Sequence, residues 1–222
     1  MRPTVIFDFD GTVALGNGPL TAYAAAVARL AEDSEFATVA TDALHAVERG
    51  DSEFRDGYHA VAAAAGQRGI DAHLLDRAYL ASRDDLATPA APVEAPAGLP
   101  EFLASLAAHA DIALVTNAPD IRIREALEAL GVAQHFVRVI TSARKPLGIE
   151  AQVTDALERG PVLSIGDIYD FDLAPAARLG AATALVGPAA ANPPADVTMS
   201  ALHLPELYPA IQTWAAEAAR LG

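Results

Sequence analysis

Apolar side chains along this chain follow two rhythms. Short unbroken runs come first: Val5-Ile6-Phe7, Ile112-Ala113-Leu114-Val115, Val162-Leu163-Ser164-Ile165 and Ala182-Thr183-Ala184-Leu185-Val186. Phe136-Val137-Arg138-Val139-Ile140 has the same look. Runs this short, without strict alternation, are the pattern of strands covered on both faces in a parallel sheet. Between the later runs, apolar positions recur at helical spacing. Segments 121–130, 149–157 and 171–179 end at or near Gly131, Gly160 and Gly180, where a residue without Cβ can form the left-handed turn that closes a helix. The alternation predicts a doubly wound α/β sheet.

One interval breaks the rhythm. No convincing strand occurs from Thr12 to Ile112, far more chain than a parallel crossover needs. Helical patterns cover 20–30, 38–49, 53–65 and 72–82, and a further helix covers 99–108. The abundant alanine suits helix propensity rather than low complexity. A stretch rich in Pro and Ala, Thr88 to Pro96, reads as a linker, and Gly16-Asn17-Gly18 reads as a hinge. The expected organisation is a discontinuous core of Rossmann-like parallel sheet over 1–15 and 90–222, with an all-helical domain inserted at 16–89. Leu207, Ile211 and Trp214 form the apolar stripe of a terminal helix, and Trp214 reads as packing.

Composition narrows the class. With 222 residues, 52% of them hydrophobic and 20% charged, the chain can bury a real core. The formal net charge of −14 disfavours duplex nucleic acid and anionic membrane surfaces as partners. The absence of cysteine excludes disulfides and thiolate zinc sites. The first apolar run is too short for a signal-peptide core, and no run reaches membrane-spanning length, so a soluble cytoplasmic protein is expected.

Candidate chemistry lies just beyond the strand-like runs, where open α/β sheets bind their ligands. Asp8-Phe9-Asp10-Gly11-Thr12 places two carboxylates beside a glycine turn. Such a pair can share a divalent cation and divide nucleophilic from acid–base work. Thr116-Asn117 offers a hydroxyl and an amide, suited to a phosphate oxygen or to an ordinary helix cap. Lys145-Pro146 offers a point charge for an anion just before a helix. Gly166-Asp167-Ile168-Tyr169-Asp170-Phe171-Asp172 crowds carboxylates together, which is costly unless a cation sits nearby. The histidines are scattered without ligand spacing. Arg55, Tyr58 and His59, near a helix break at Gly57, are candidates for a substrate-facing loop.

The order Asp pair, Thr, Lys, Asp cluster resembles the haloacid dehalogenase superfamily, in its phosphatase branch. The stretch from Ala195-Asp196 to Leu204-Pro205-Glu206-Leu207 resembles that family's last strand and helix. The inserted helices resemble its cap, which implies closure over the site. By this resemblance Asp8 is the nucleophile and Asp10 the general acid/base. Thr116, Asn117 and Lys145 bind the transferring phosphoryl group. Asp8, the Asp10 backbone carbonyl and Asp167 ligate Mg²⁺, with Asp172 orienting the metal's waters; Asp170 is extra. Family members that act as dehalogenases lack a carboxylate at the position of Asp10. Two departures stand out: Val13-Ala14-Leu15-Gly16 replaces a frequent Asp-Ser, and Leu147-Gly148-Ile149-Glu150 follows Lys145-Pro146 where Asp-Pro is common.

The expected activity is Mg²⁺-dependent hydrolysis of a small phosphorylated metabolite through an aspartyl-phosphate. A phosphomutase of the same superfamily, or a phosphate- or metal-binding module without turnover, would share most of these residues.

Overall fold

The computed structural model describes residues 2–49 and 54–220. Its centre is a six-stranded sheet of β1 (Thr4–Phe7), β2 (Asp111–Val115), β3 (Arg138–Ile140), β4 (Val162–Gly166), β5 (Ala182–Val186) and β6 (Met199–Ala201). The spatial order is β3-β2-β1-β4-β5-β6, and every neighbouring pair is parallel. All the strand-like runs of the sequence therefore lie in one Rossmann-like α/β sheet.

Two edges differ from the hydrophobic pattern. β3 keeps only the last three residues of its run. As an edge strand it has one open side, so Phe136 turns into the core while Val137 is 71% exposed. β6, Met199-Ser200-Ala201, is half-buried along its length and carries no apolar run. It falls within the stretch where the family resemblance puts a last strand.

The helices, in chain order, are α1 (Gly18–Leu30), α2 (Phe36–Glu48), α3 (Gly57–Gln67), α4 (Ala72–Arg83), α5 (Leu99–Leu106), α6 (Ile123–Ala129), α7 (Leu147–Leu157), α8 (Ala174–Arg178) and α9 (Tyr208–Arg220). Ile6, Ala113 and Val162 on one sheet face pack with Ile149, Val153 and Ala156 of α7 and Ala176 of α8. On the other face Phe7 meets the ring edges of Phe102 and Phe136 at 6.5 and 6.3 Å, and Phe102 stacks on Tyr208 of α9 at 3.9 Å. Each such fully buried side chain contributes about 1.5–3 kcal/mol.

The chain divides into two compact units. The first, Met1–Leu15, Glu94–Asp120 and Leu127–Gly222, contains the whole sheet. The second is Gly16–Val93 with Ile121–Ala126. In it α1 packs on α4 and α2 on α3 around Tyr23, Val27, Phe36, Leu44, Val61 and Ala78. The helix expected over 53–65 starts at Gly57, because the Asp56 carboxylate accepts the His59 N–H (2.7 Å) and caps it; Glu53 lies outside the described residues. The Pro-rich stretch is held rather than slack. Thr88 closes a turn onto the Asp85 carbonyl (2.6 Å), and Leu15 and Glu94 exchange backbone hydrogen bonds of 2.8 and 3.0 Å. The helical unit accordingly runs on to Val93, past the boundary of 89 expected from composition. No helix among the described residues is long and apolar enough to cross a membrane.

Candidate active site

The strand order dictates where the site forms. Sheet positions Leu114, Phe7 and Ile165 stand in register across β2, β1 and β4. The next residues outward are therefore delivered to one rim. The Asp8 N–H donates to the Ile165 carbonyl (2.9 Å) and the Thr116 N–H to the Ile140 carbonyl (2.9 Å), extending the ladders into the candidate residues. This rim is the carboxyl end of a parallel sheet whose strand order switches sides between β1 and β4, the usual ligand crevice of such sheets.

Just past Asp8 the chain folds back. The Phe9 carbonyl accepts from the N–H groups of Thr12, Val13 and Ala14 at 3.3, 3.0 and 2.8 Å. Phe9 is buried completely, Asp8 is buried and Asp10 half-buried. Gly11 makes the fold-back possible at φ +83°, and any Cβ there would strike the Asp167 carboxylate.

Four charged side chains converge. The Lys145 ammonium donates to Asp8 Oδ1 and to Asp172 Oδ1, both at 2.5 Å. Its side chain is only 3% exposed and theirs are 10% and 2%. Carboxylate oxygens of Asp8, Asp167 and Asp172 all lie within 4.8 Å of one another. Asp172 Oδ2 accepts the Ile168 N–H (3.1 Å), so both its oxygens are engaged. Asp167 Oδ1 is buried with no hydrogen-bond partner among the described residues.

The electrostatics follow from that crowding. Burial alone would lower the Lys145 ammonium, but Asp8 and Asp172 outweigh it and hold the ammonium above its ordinary range. Burial and then the Asp8 charge push the Asp172 carboxyl up to about 7, against the pull of Lys145. Burial, then Asp8 and Asp172, raise Asp167 well above the usual carboxylate range. Three carboxylates around one ammonium leave net negative charge in a poorly solvated space. An oxygen-lined, net-negative cluster with one buried oxygen unpartnered fits a small hard divalent cation. Asp167 and Asp8 can hold one directly. Asp172, tied to Lys145 and Ile168, can act from behind them.

The remaining candidates fall differently. Asp10 is half-buried at the same rim but is not a member of the close carboxylate group. Thr116 is buried, and its Oγ1 accepts the Ala118 N–H (3.0 Å), which leaves the hydroxyl hydrogen to donate elsewhere. The Asn117 side chain turns to the backbone of Lys145: its Oδ1 accepts the Lys145 N–H at 2.6 Å. That carboxamide oxygen is thus spent on the Lys145 peptide; a phosphoryl oxygen could take a hydrogen bond only from an N–H of this residue. Asp170 is exposed and outside the group. Arg55 donates to Asp56 (3.1 Å) and to His59 Nδ1 through its N–H (3.3 Å), and Tyr58 accepts from Arg83 (3.0 Å). These contacts knit the start of α3 together within the helical unit.

Two contributors are silent in the sequence pattern. Ser164 sits inside an apolar run, yet its buried hydroxyl donates to the Asp172 carbonyl (2.7 Å) and fixes that residue's backbone. A hydroxyl at the centre of a buried strand is the signal that could have found it. Tyr169–Leu173 is a π-turn, which brings Asp172 back against β4 where a Cβ on Gly166 would overlap it.

Known proteins share this fold. The family model described as haloacid dehalogenase-like hydrolase matches residues 5–166. No curated protein matches. Among solved structures, the HAD-hydrolase YfnB from Bacillus subtilis bound to magnesium is 18% identical, covering 95% of this chain and 98% of that one, with a TM-score of 0.62. L-2-haloacid dehalogenase from Xanthobacter autotrophicus is 18% identical, covering 96% and 99%, at 0.57. A predicted phosphoglycolate phosphatase from Haemophilus somnus 129pt is 19% identical, covering 82% and 84%, at 0.57. At these identities the likeness is one of fold.

Proposed function

This chain belongs to the haloacid dehalogenase-like hydrolase family, and on that premise we propose that it is a Mg²⁺-dependent phosphatase of a small phosphorylated metabolite. The observation that carries the proposal is the charge arrangement at the rim. Lys145 stands 2.5 Å from the would-be nucleophile, beside a carboxylate cluster that needs a cation. A phosphate monoester is a dianion, and an unassisted carboxylate would repel it. A bound Mg²⁺ supplies compact positive charge that offsets this repulsion. Asp10 distinguishes the reading from dehalogenation, because displacement of a halide needs no proton donor whereas expulsion of an alkoxide does.

The residues divide the work as follows. Asp8 attacks phosphorus through a carboxylate oxygen while the bond to the leaving oxygen breaks. Asp10 gives that oxygen its proton, so the alcohol departs neutral. Lys145 and the Thr116 hydroxyl hold the equatorial phosphoryl oxygens during transfer. Asp10, now a carboxylate, takes a proton from water as the water attacks the aspartyl-phosphate. Orthophosphate leaves, and Asp8 and Asp10 return to their starting states.

A screen of phosphorylated metabolites and a generic aryl phosphate, scored for orthophosphate with Mg²⁺ and after exhaustive chelation, tests the proposal. The expected result is phosphate release that falls at least tenfold on chelation and returns with Mg²⁺. Release undiminished by chelation contradicts the metal assignment. Halide release from 2-haloacids without any phosphate release contradicts the reaction.

A further inference from the structure

The loop that presents Lys145 is unusual in its backbone. Ser142 and Arg144, neither of them glycine, have φ of 49° and 57°, in the left-handed region that L-residues disfavour. A strained loop keeps its shape only where its surroundings fix it. Here the end of β2 does so at three points. The Ser142 N–H donates to the Ala118 carbonyl at 2.7 Å, and the Ala143 N–H to the Thr116 carbonyl at 3.0 Å. The third point is the Lys145 N–H on Asn117 Oδ1 at 2.6 Å, with Asn117 Nδ2 reaching toward the Lys145 carbonyl at 3.5 Å.

The first two bonds join backbone to backbone and rest on no side chain. The third alone depends on a side chain, and it grips the lysine's own peptide. Because the Lys145 N–H must donate, the facing atom must be the amide oxygen, which fixes the carboxamide's orientation. Asn117 is otherwise exposed, so no core packing rests on it.

We propose that Asn117 is a positioning residue: its carboxamide locks the Lys145 peptide, and through it the ammonium's place beside Asp8 and Asp172. The catalytic consequence rests on the phosphatase reading above; the clamp itself does not. A lysine displaced by about 1 Å can cost a hundredfold in rate. If Asn117 acts only by aiming Lys145, its loss matters only while Lys145 is present.

A double-mutant cycle reads this directly. Asn117→Ala should lower kcat/KM on an aryl phosphate ten- to a hundredfold, with the thermal midpoint nearly unchanged. In a Lys145→Ala background the same substitution should cost less than twofold. Equal losses in both backgrounds would mean that Asn117 touches the phosphoryl group or supports the fold generally, and would overturn the proposal. So would an Asn117→Ala enzyme with wild-type kcat/KM. Amide hydrogen exchange at position 145, measured on the whole chain without substrate, is the second arm. Protection should be present in the wild type and lost in Asn117→Ala; unchanged exchange refutes the clamp. If the wild type hydrolyses no phosphate ester, the functional reading fails, and the exchange result alone then decides whether the clamp exists.

Discussion

Asp8, Asp167 and Asp172 stand together with one ammonium, Lys145, among them. Folding without a cation therefore forces carboxylates into each other's field. The raised values of Asp167 and Asp172 express that cost as pH dependence. A carboxyl whose folded pKa lies above its unfolded value, roughly 3.9, adds stability below that value and loses it as pH climbs through the folded one. For Asp172 that loss begins near the unfolded value and is complete just above about 7. The metal-free chain should thus weaken between about pH 4 and 8, and Mg²⁺ should raise its thermal midpoint more at pH 8 than at pH 6. Asp167→Asn removes a charge crowded by Asp8 and Asp172. Without metal at pH 8 it should melt several degrees above the wild type, at about 2–4 °C per kcal/mol for a chain of this size, and it should no longer respond to Mg²⁺. Thermal melts with and without chelator check both outcomes. A variant that melts below the wild type without metal would show that Asp167 is stabilised by a partner, not strained by its neighbours.

The turn after β1 is where element geometry meets the cluster. Gly11 sits at φ +83° with Asp167 in the space a Cβ would take. Gly11→Ala should cost about 1–3 kcal/mol in urea unfolding and weaken Mg²⁺ binding together. A variant of normal stability and affinity would contradict the turn's role. Elements of this kind were readable in the sequence to different degrees. Buried strands such as β1, β2, β4 and β5 announce themselves because covering both faces demands unbroken apolar runs. The edges do not: β3 shortens and β6 carries Met199-Ser200-Ala201, because an open flank relaxes that demand. Asp8, Lys145 and Asp167 were legible because each follows a strand-like run. Asn117's bond to the Lys145 peptide was not, since it depends on how the loop before Lys145 curls in three dimensions. Ser164 was hidden for the same reason, its partner being a carbonyl brought near by a π-turn.

For the molecule as a whole, the order β3-β2-β1-β4-β5-β6 explains why residues so distant in sequence act together. Asp8, Thr116, Lys145 and Asp167 follow four strands that lie side by side, and all belong to the sheet-bearing unit. The fold supplies the rim; the side chains on it decide the chemistry. The central claim is that Asp8 becomes phosphorylated while Asp10 handles protons. Asp10→Asn keeps the nucleophile but removes the group that activates water. Mixed with Mg²⁺ and an aryl phosphate, whose leaving group needs little protonation, it should accumulate a phosphoenzyme. Acid quench and mass spectrometry should find one added mass of about 80 Da, on the order of one phosphoryl group per chain, located on Asp8 and absent from Asp8→Asn. An adduct on any other residue, or one that still forms in Asp8→Asn, would contradict the account.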